Sequence, residues 1–265
     1  MAKSAKTSSS RAKANDDAGY ATLSMRPLHV LVFLLPLVLL YELGSVFYLS
    51  DSSGSIVETI SAYRLLSSFM SALGAPGLYL PGAVIITVLL VWHVLERHRW
   101  QLKPSVLLGM TLESALWVLP LLVFAVVWQR HAPAALGADG QVLMPLAEHP
   151  WQARLTLAIG AGLYEELLFR LVLITGVHFI VADLMRLPSS TAYVIAAVAS
   201  ALSFALYHDV RLATGGVDLR LVGFLAIAGL YFAFLFVLRG FGIAVGTHAL
   251  YDVMALIVLS GATNG

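Results

Sequence analysis

The sequence predicts an all-α, polytopic membrane helix bundle with about seven transmembrane helices, eight being the alternative count. Three observations lead there. Of 265 residues, 59% are hydrophobic and only 31 carry a formal charge. Seven of those charges lie in the first 27 residues, so 24 serve the other 238, about a tenth where a soluble domain has about a quarter. Seven stretches reach the roughly 20 apolar residues that a helix needs to cross a ~30 Å hydrocarbon core. A water-soluble globule and a long disordered chain are both excluded.

Residues 1–27 form a polar tail rich in Ser, Ala and Lys, expected to be disordered. It is too long and polar for the first part of a cleaved signal peptide, so the apolar run after it is expected to be a retained span. The rest, 28–265, is expected to be one integral membrane domain with spans at 28–49, 78–95, 105–128, 154–182, 190–207, 219–238 and 241–260. Between the first two lies 55–73, where Ile56, Ile60, Leu65 and Phe69 are set against Glu58 and Arg64. That pattern predicts a helix lying in the interface, with an eighth span as the alternative. Residues 74–76, Pro104, Pro133, Pro145, Pro150 and Pro188 mark loops. Pro36, Pro81 and Pro120 fall inside spans, where neighbouring helices tolerate them.

With the N-terminus inside, the inner segments hold ten Lys and Arg residues and the outer segments five. The tally predicts a cytoplasmic N-terminus. A net charge of +1 and no basic motif give no sign of a nucleic-acid partner. The absence of cysteine excludes disulfides, thiolate metal sites and a cysteine nucleophile.

Ionisable residues inside spans are costly and normally face a partner or a watery cavity. Three segments concentrate them: Glu165, Glu166 and Arg170; then Phe204 and His208; then His248 and Asp252. Glu166 and Arg170 are four apart and can pair on one helical face. Glu165 is rotated about 100° from Glu166, so its own helix leaves it unpaired. An unpaired carboxylate in a low-dielectric site suits a general base working near neutrality. His248 and Asp252 share a face, and His208 closes its span. Taken singly, each feature has a plainer explanation. A Glu–Arg pair in a span is more often a clamp between helices, and a His–Asp pair can be a proton relay. Glu42 and Glu113 also lie in spans and are assigned structural or access roles. His29, His93, His98, His131, His149 and His178 are expected at interfaces or in loops.

Together the three segments, in order and spacing, resemble the motifs of the CPBP family of intramembrane proteases, which contains the type II CAAX prenyl endopeptidases and bacteriocin-processing relatives. The family pattern is Glu-Glu-x-x-x-Arg, Phe-x-x-x-His and His-x-x-x-Asn or Asp, matched here by Glu165-Glu166…Arg170, Phe204…His208 and His248…Asp252. The resemblance covers 154–265, the expected protease-like core. It implies a glutamate-dependent intramembrane endopeptidase without metal or other cofactor. Glu165 and His208 would activate a water, and His248 and Asp252 would lie where the oxyanion develops. Glu166 with Arg170 would hold the site together, and Phe204 would pack the helix presenting His208. Asp252 would either donate to the oxyanion when protonated or orient His248; the donor role is the one expected.

A membrane-embedded peptide or protein is the expected substrate and the bilayer the expected surroundings. The short chain without organelle-sorting signals points to a bacterial inner (cell) membrane. The competing functions are a proton-coupled transporter, disfavoured by the lack of duplicated halves, and a non-cleaving scaffold. With seven spans His208 sits at the outer end of its helix, whereas the prenyl-processing relatives are expected to open toward the cytoplasm.

Overall fold

A computed structural model of the chain describes residues 19–50, 59–72, 74, 80–131, 150–212 and 215–262. It is helical almost throughout. The elements are α1 (Tyr20–Ser24), α2 (Pro27–Tyr48), α3 (Ser61–Ala72), α4 (Leu80–Glu96), α5 (Pro104–His131), the long α6 (Trp151–Leu184), α7 (Ser189–Tyr207), α8 (Leu219–Arg239) and α9 (Phe241–Ala262). Among the described residues the only β contact between their segments is an isolated antiparallel bridge of Arg211 with Val217, in the α7–α8 connection.

Helix ends follow the local chemistry. Pro27 and Pro104 open α2 and α5, where a missing N–H costs nothing, and Pro150 and Pro188 cap α6 and α7. Asp218 caps α8 by accepting from the Arg220 and Leu221 amides at 2.9 and 3.1 Å. Gly240, at φ +83°, turns the chain from α8 straight into α9, a conformation that a side chain would oppose.

Among the described residues five helices are long and apolar enough to cross a membrane: α2, α5, α6, α7 and α8. The α4 helix is apolar but shorter, and α9 runs for 22 residues. The α3 helix has 12 residues, about 18 Å of rise, too short for the eighth span that the sequence left open. Its Leu65 and Phe69 are exposed while Tyr63 is buried. Outward-facing Leu108, Leu112 and Leu116 form an apolar stripe along α5, and Val194, Val198 and Leu202 do so on α7. Those stripes suit contact with lipid. The protein is an integral membrane protein.

Three expectations need correction. From sequence the polar tail runs to residue 27, yet Tyr20–Ser24 is helical because Leu23 is buried and the Tyr20 hydroxyl donates to Glu113 at 2.6 Å. Residues 1–18 lie outside the described set. Pro81 is not inside a span but in the first turn of α4, where its ring fits. His29 and His93 are buried rather than interfacial: the His29 ring accepts from the Lys103 amide at 3.3 Å, and His93 packs edge-on against Trp100. His149 and the His131 side chain lie outside the described residues.

The central element is α9, which packs along α6, α5 and α8 and touches α2. It comes close to α6 at Gly162. A Cβ at Gly162 would stand 2.7 Å from both the amide nitrogen and the Cβ of Ala249, so only a bare backbone lets the helices meet there. On the opposite side of the core, α6 meets α2 and α3 through Tyr41, Tyr63 and Tyr164, whose ring centroids lie 5.0–5.5 Å apart. Tyr164 donates to Glu42 at 2.9 Å.

Gly162→Ala should therefore force α6 and α9 apart and cost about 1–3 kcal/mol, the usual range for overpacking. Gly176→Ala in the same helix meets nothing within 4 Å and should leave stability unchanged or slightly raised. Thermal unfolding of the two variants in detergent checks the contrast.

Candidate active site

Glu165 and Glu166 end the first α-helical stretch of α6, Trp151–Glu166. From Leu167 to Ile174 the helix winds as a π-helix, which carries Phe169 and Arg170. Wider winding of this kind often marks functional positions and leaves carbonyls in need of donors. Here the Phe169 carbonyl accepts from the buried Ser200 hydroxyl of α7 at 2.8 Å. That bond fixes α7, and with it the helix end that presents His208.

The Glu166 carboxylate is fully buried and serves two partners through one oxygen. Its Oε1 lies 3.0 Å from Nη1 of Arg170, also fully buried, and 2.7 Å from Nδ1 of His248 on α9. The Arg170 guanidinium donates onward to the Gly229 carbonyl of α8 at 3.2 Å. It lies over the rings of Phe204 (4.5 Å), Phe232 (5.4 Å) and Phe169 (6.0 Å). A delocalised cation is well matched to such aromatic faces.

His208 ends α7 in extended backbone conformation, and its Nδ1 lies 2.8 Å from the Phe204 carbonyl. A carbonyl only accepts, so Nδ1 carries the proton and Nε2 of the neutral ring offers its lone pair. That Nε2 lies 4.0 Å from Oε2 of Glu165. Nε2 of His248 approaches the same Glu165 oxygen to 3.9 Å and Oδ2 of Asp252 to 3.5 Å. Two imidazoles from two helices thus converge on a single carboxylate oxygen, at distances too long for direct hydrogen bonds but right for a bridging water.

Residues 147–254 match the family model for type II CAAX prenyl endopeptidase Rce1-like proteins. This part of the chain is similar to that family. It is a protease family, and the match agrees with the resemblance seen in the motifs. No curated protein and no solved structure matches the chain.

All seven positions of the three motifs meet in one place. Glu42 and Glu113 do not. Glu113 pairs with Arg239 at 2.5 and 2.8 Å and accepts from Tyr20 and Trp117, tying α5 to α8 and α1. Among the described residues no set of three His, Asp or Glu side chains is arranged to hold a metal ion. Orienting His248 was the alternative role that the sequence left open for Asp252; Glu166 holds the Nδ1 of that ring, from another helix. Four contributors are not in the motifs: Gly162, Ser200, the Gly229 carbonyl and Phe232. The small residues Gly162, one turn before the glutamates, and Gly160, two residues earlier still, were a legible sign of close helix approach. The other three had no local signal.

Arg170→Ala should leave Glu166 as a buried charge without its cation and cost about 3–5 kcal/mol. Glu165→Gln removes no such pairing and should unfold close to wild type. Equal losses in thermal unfolding would contradict the separate roles of the two glutamates.

Proposed function

We propose that the protein is an intramembrane endopeptidase that hydrolyses a peptide bond in a membrane-associated or lipidated peptide or protein, using water activated by Glu165 and His208. One observation carries this: the Nε2 atoms of His208 and His248 lie 4.0 and 3.9 Å from one oxygen of Glu165. A proton relay would string such groups along the membrane normal rather than gather them.

In this mechanism a water donates one hydrogen to Glu165 and the other to the His208 lone pair. Its own lone pairs are left free for the scissile carbonyl carbon. Glu165 takes the proton as attack proceeds and passes it to the leaving amine. The oxyanion forms beside Nε2 of His248 and Asp252, whose donors stabilise it in a water-poor site. Glu166 and Arg170 set the imidazole of His248 and touch no reacting atom. The protein sits in a bacterial inner membrane with its N-terminus in the cytoplasm, the orientation that the Lys and Arg tally favours.

The test is mass spectrometry of cleavage products in membranes carrying the wild-type chain or a Glu165→Gln copy. Products present with wild type and absent with the variant are expected. An identical product set in both would overturn the mechanism.

Asp252 adds a second test. Because Glu166 already orients His248, Asp252 acts as the oxyanion donor and must be protonated to do so. Asp252→Asn should keep or raise peptide cleavage, with less loss at high pH since an amide cannot ionise. Asp252→Leu should remove most of it. An Asn variant inactive at every pH would refute the donor role.

A further inference from the structure

Phe232 of α8 belongs to none of the three motifs, yet it is the ring closest to His248. The two rings are nearly parallel, 17° apart, with centroids at 4.4 Å. Phe204 is farther, at 6.1 Å, and edge-on. Phe232 is 2% exposed, so its orientation is set by packing against α5 and α9. On its other contacts it meets the Arg170 guanidinium, 5.4 Å from the ring centroid.

An imidazole has three motions to restrain: displacement, in-plane rotation and tilt. The Nδ1 contact with Glu166 fixes position and in-plane rotation. It leaves the ring free to tilt about that bond, which would swing Nε2 away from Glu165 and Asp252. A flat partner stacked on the face removes that freedom. The same face is the negative part of the aromatic quadrupole, so it favours an imidazole that bears or gains positive charge.

We infer that Phe232 is a positioning residue for His248. Its ring face holds the imidazole in the plane set by Glu166 and supports the positive charge that the imidazole carries while Nε2 donates to the oxyanion. The inference rests on the proteolytic function proposed above.

The test replaces Phe232 with phenylalanines of increasing fluorination, ending with the pentafluoro ring. Shape is nearly kept along the series, while the negative character of the face is progressively withdrawn. Peptide cleavage should show kcat falling stepwise, by roughly tenfold over the series, with KM nearly constant. The same series at Phe224, a buried α8 ring stacked on Phe124 at 5.4 Å and outside the site, should leave kcat unchanged. Phe232→Leu, which removes the face altogether, should lower kcat at least as far. A purely structural ring would instead lose activity only in step with thermal stability.

A second readout needs no substrate: the imidazole 15N signals of His248 should move along the Phe232 series and stay in place along the Phe224 series. A flat kcat series at Phe232 overturns the inference if wild type cleaves. If wild type cleaves nothing, the proteolytic function fails, and unmoved His248 signals would overturn the contact itself.

Discussion

A single oxygen of Glu166, sealed from solvent and shared between Arg170 and His248, is the joint on which the site depends. Burying a carboxylate and a guanidinium is costly, and the cost is offset only where geometry and further hydrogen bonds are good. Here they are met only in part, since Glu166 Oε2 and Arg170 Nε and Nη1 are buried without a hydrogen-bond partner. Arg170 is supported by the Gly229 carbonyl and by three aromatic faces, and Glu166 by an imidazole. Because those partners come from α6, α7, α8 and α9, the charge pair is satisfied only when four helices are docked together. The polar group that a bilayer tolerates least has become the device that specifies how the helices meet.

Separation of labour between two adjacent glutamates follows from the same constraint. One turn of helix cannot aim neighbouring side chains in one direction. Glu166 points into the joint, so Glu165 must point out of it, toward His208 and the remaining nitrogen of His248. The π-helical winding after Glu166 then widens the turn that carries Arg170, and the hydroxyl of Ser200 takes up the carbonyl of Phe169 there. Gly162, one turn earlier, lets α9 come close enough for His248 to reach Glu166. Each of these acts on distance or direction at a neighbouring chemical group.

Much of this could be seen in the chain before any coordinates. Apolar runs bounded by proline placed the helices to within a few residues, since hydrophobic length and a missing N–H are local properties. Four-residue spacing placed Arg170 beside Glu166 for the same reason. The links between helices were less open. Spacing within α9 placed Asp252 on the face of His248, but the tighter contact to that ring comes from Glu166, 82 positions earlier. Phe232 was one of 12 phenylalanines with nothing in its neighbourhood to distinguish it. The π-helical winding could not be read because the composition of 167–174 is that of any apolar helix. Tyr20, near the end of a largely polar segment, gained its place through Glu113 and Arg239 on distant helices.

The claim that Glu166 and Arg170 act as one unit is tested most directly by a double-mutant cycle in thermal unfolding, using Arg170→Met, Glu166→Gln and the two combined. Each single change leaves a buried polar group without its partner, while the pair of changes removes both charges. The double variant should be distinctly more stable than the sum of the single losses allows, by about 2 kcal/mol or more of coupling. Losses that simply add would mean that the two groups are independent, and the joint at the centre of this fold would not exist.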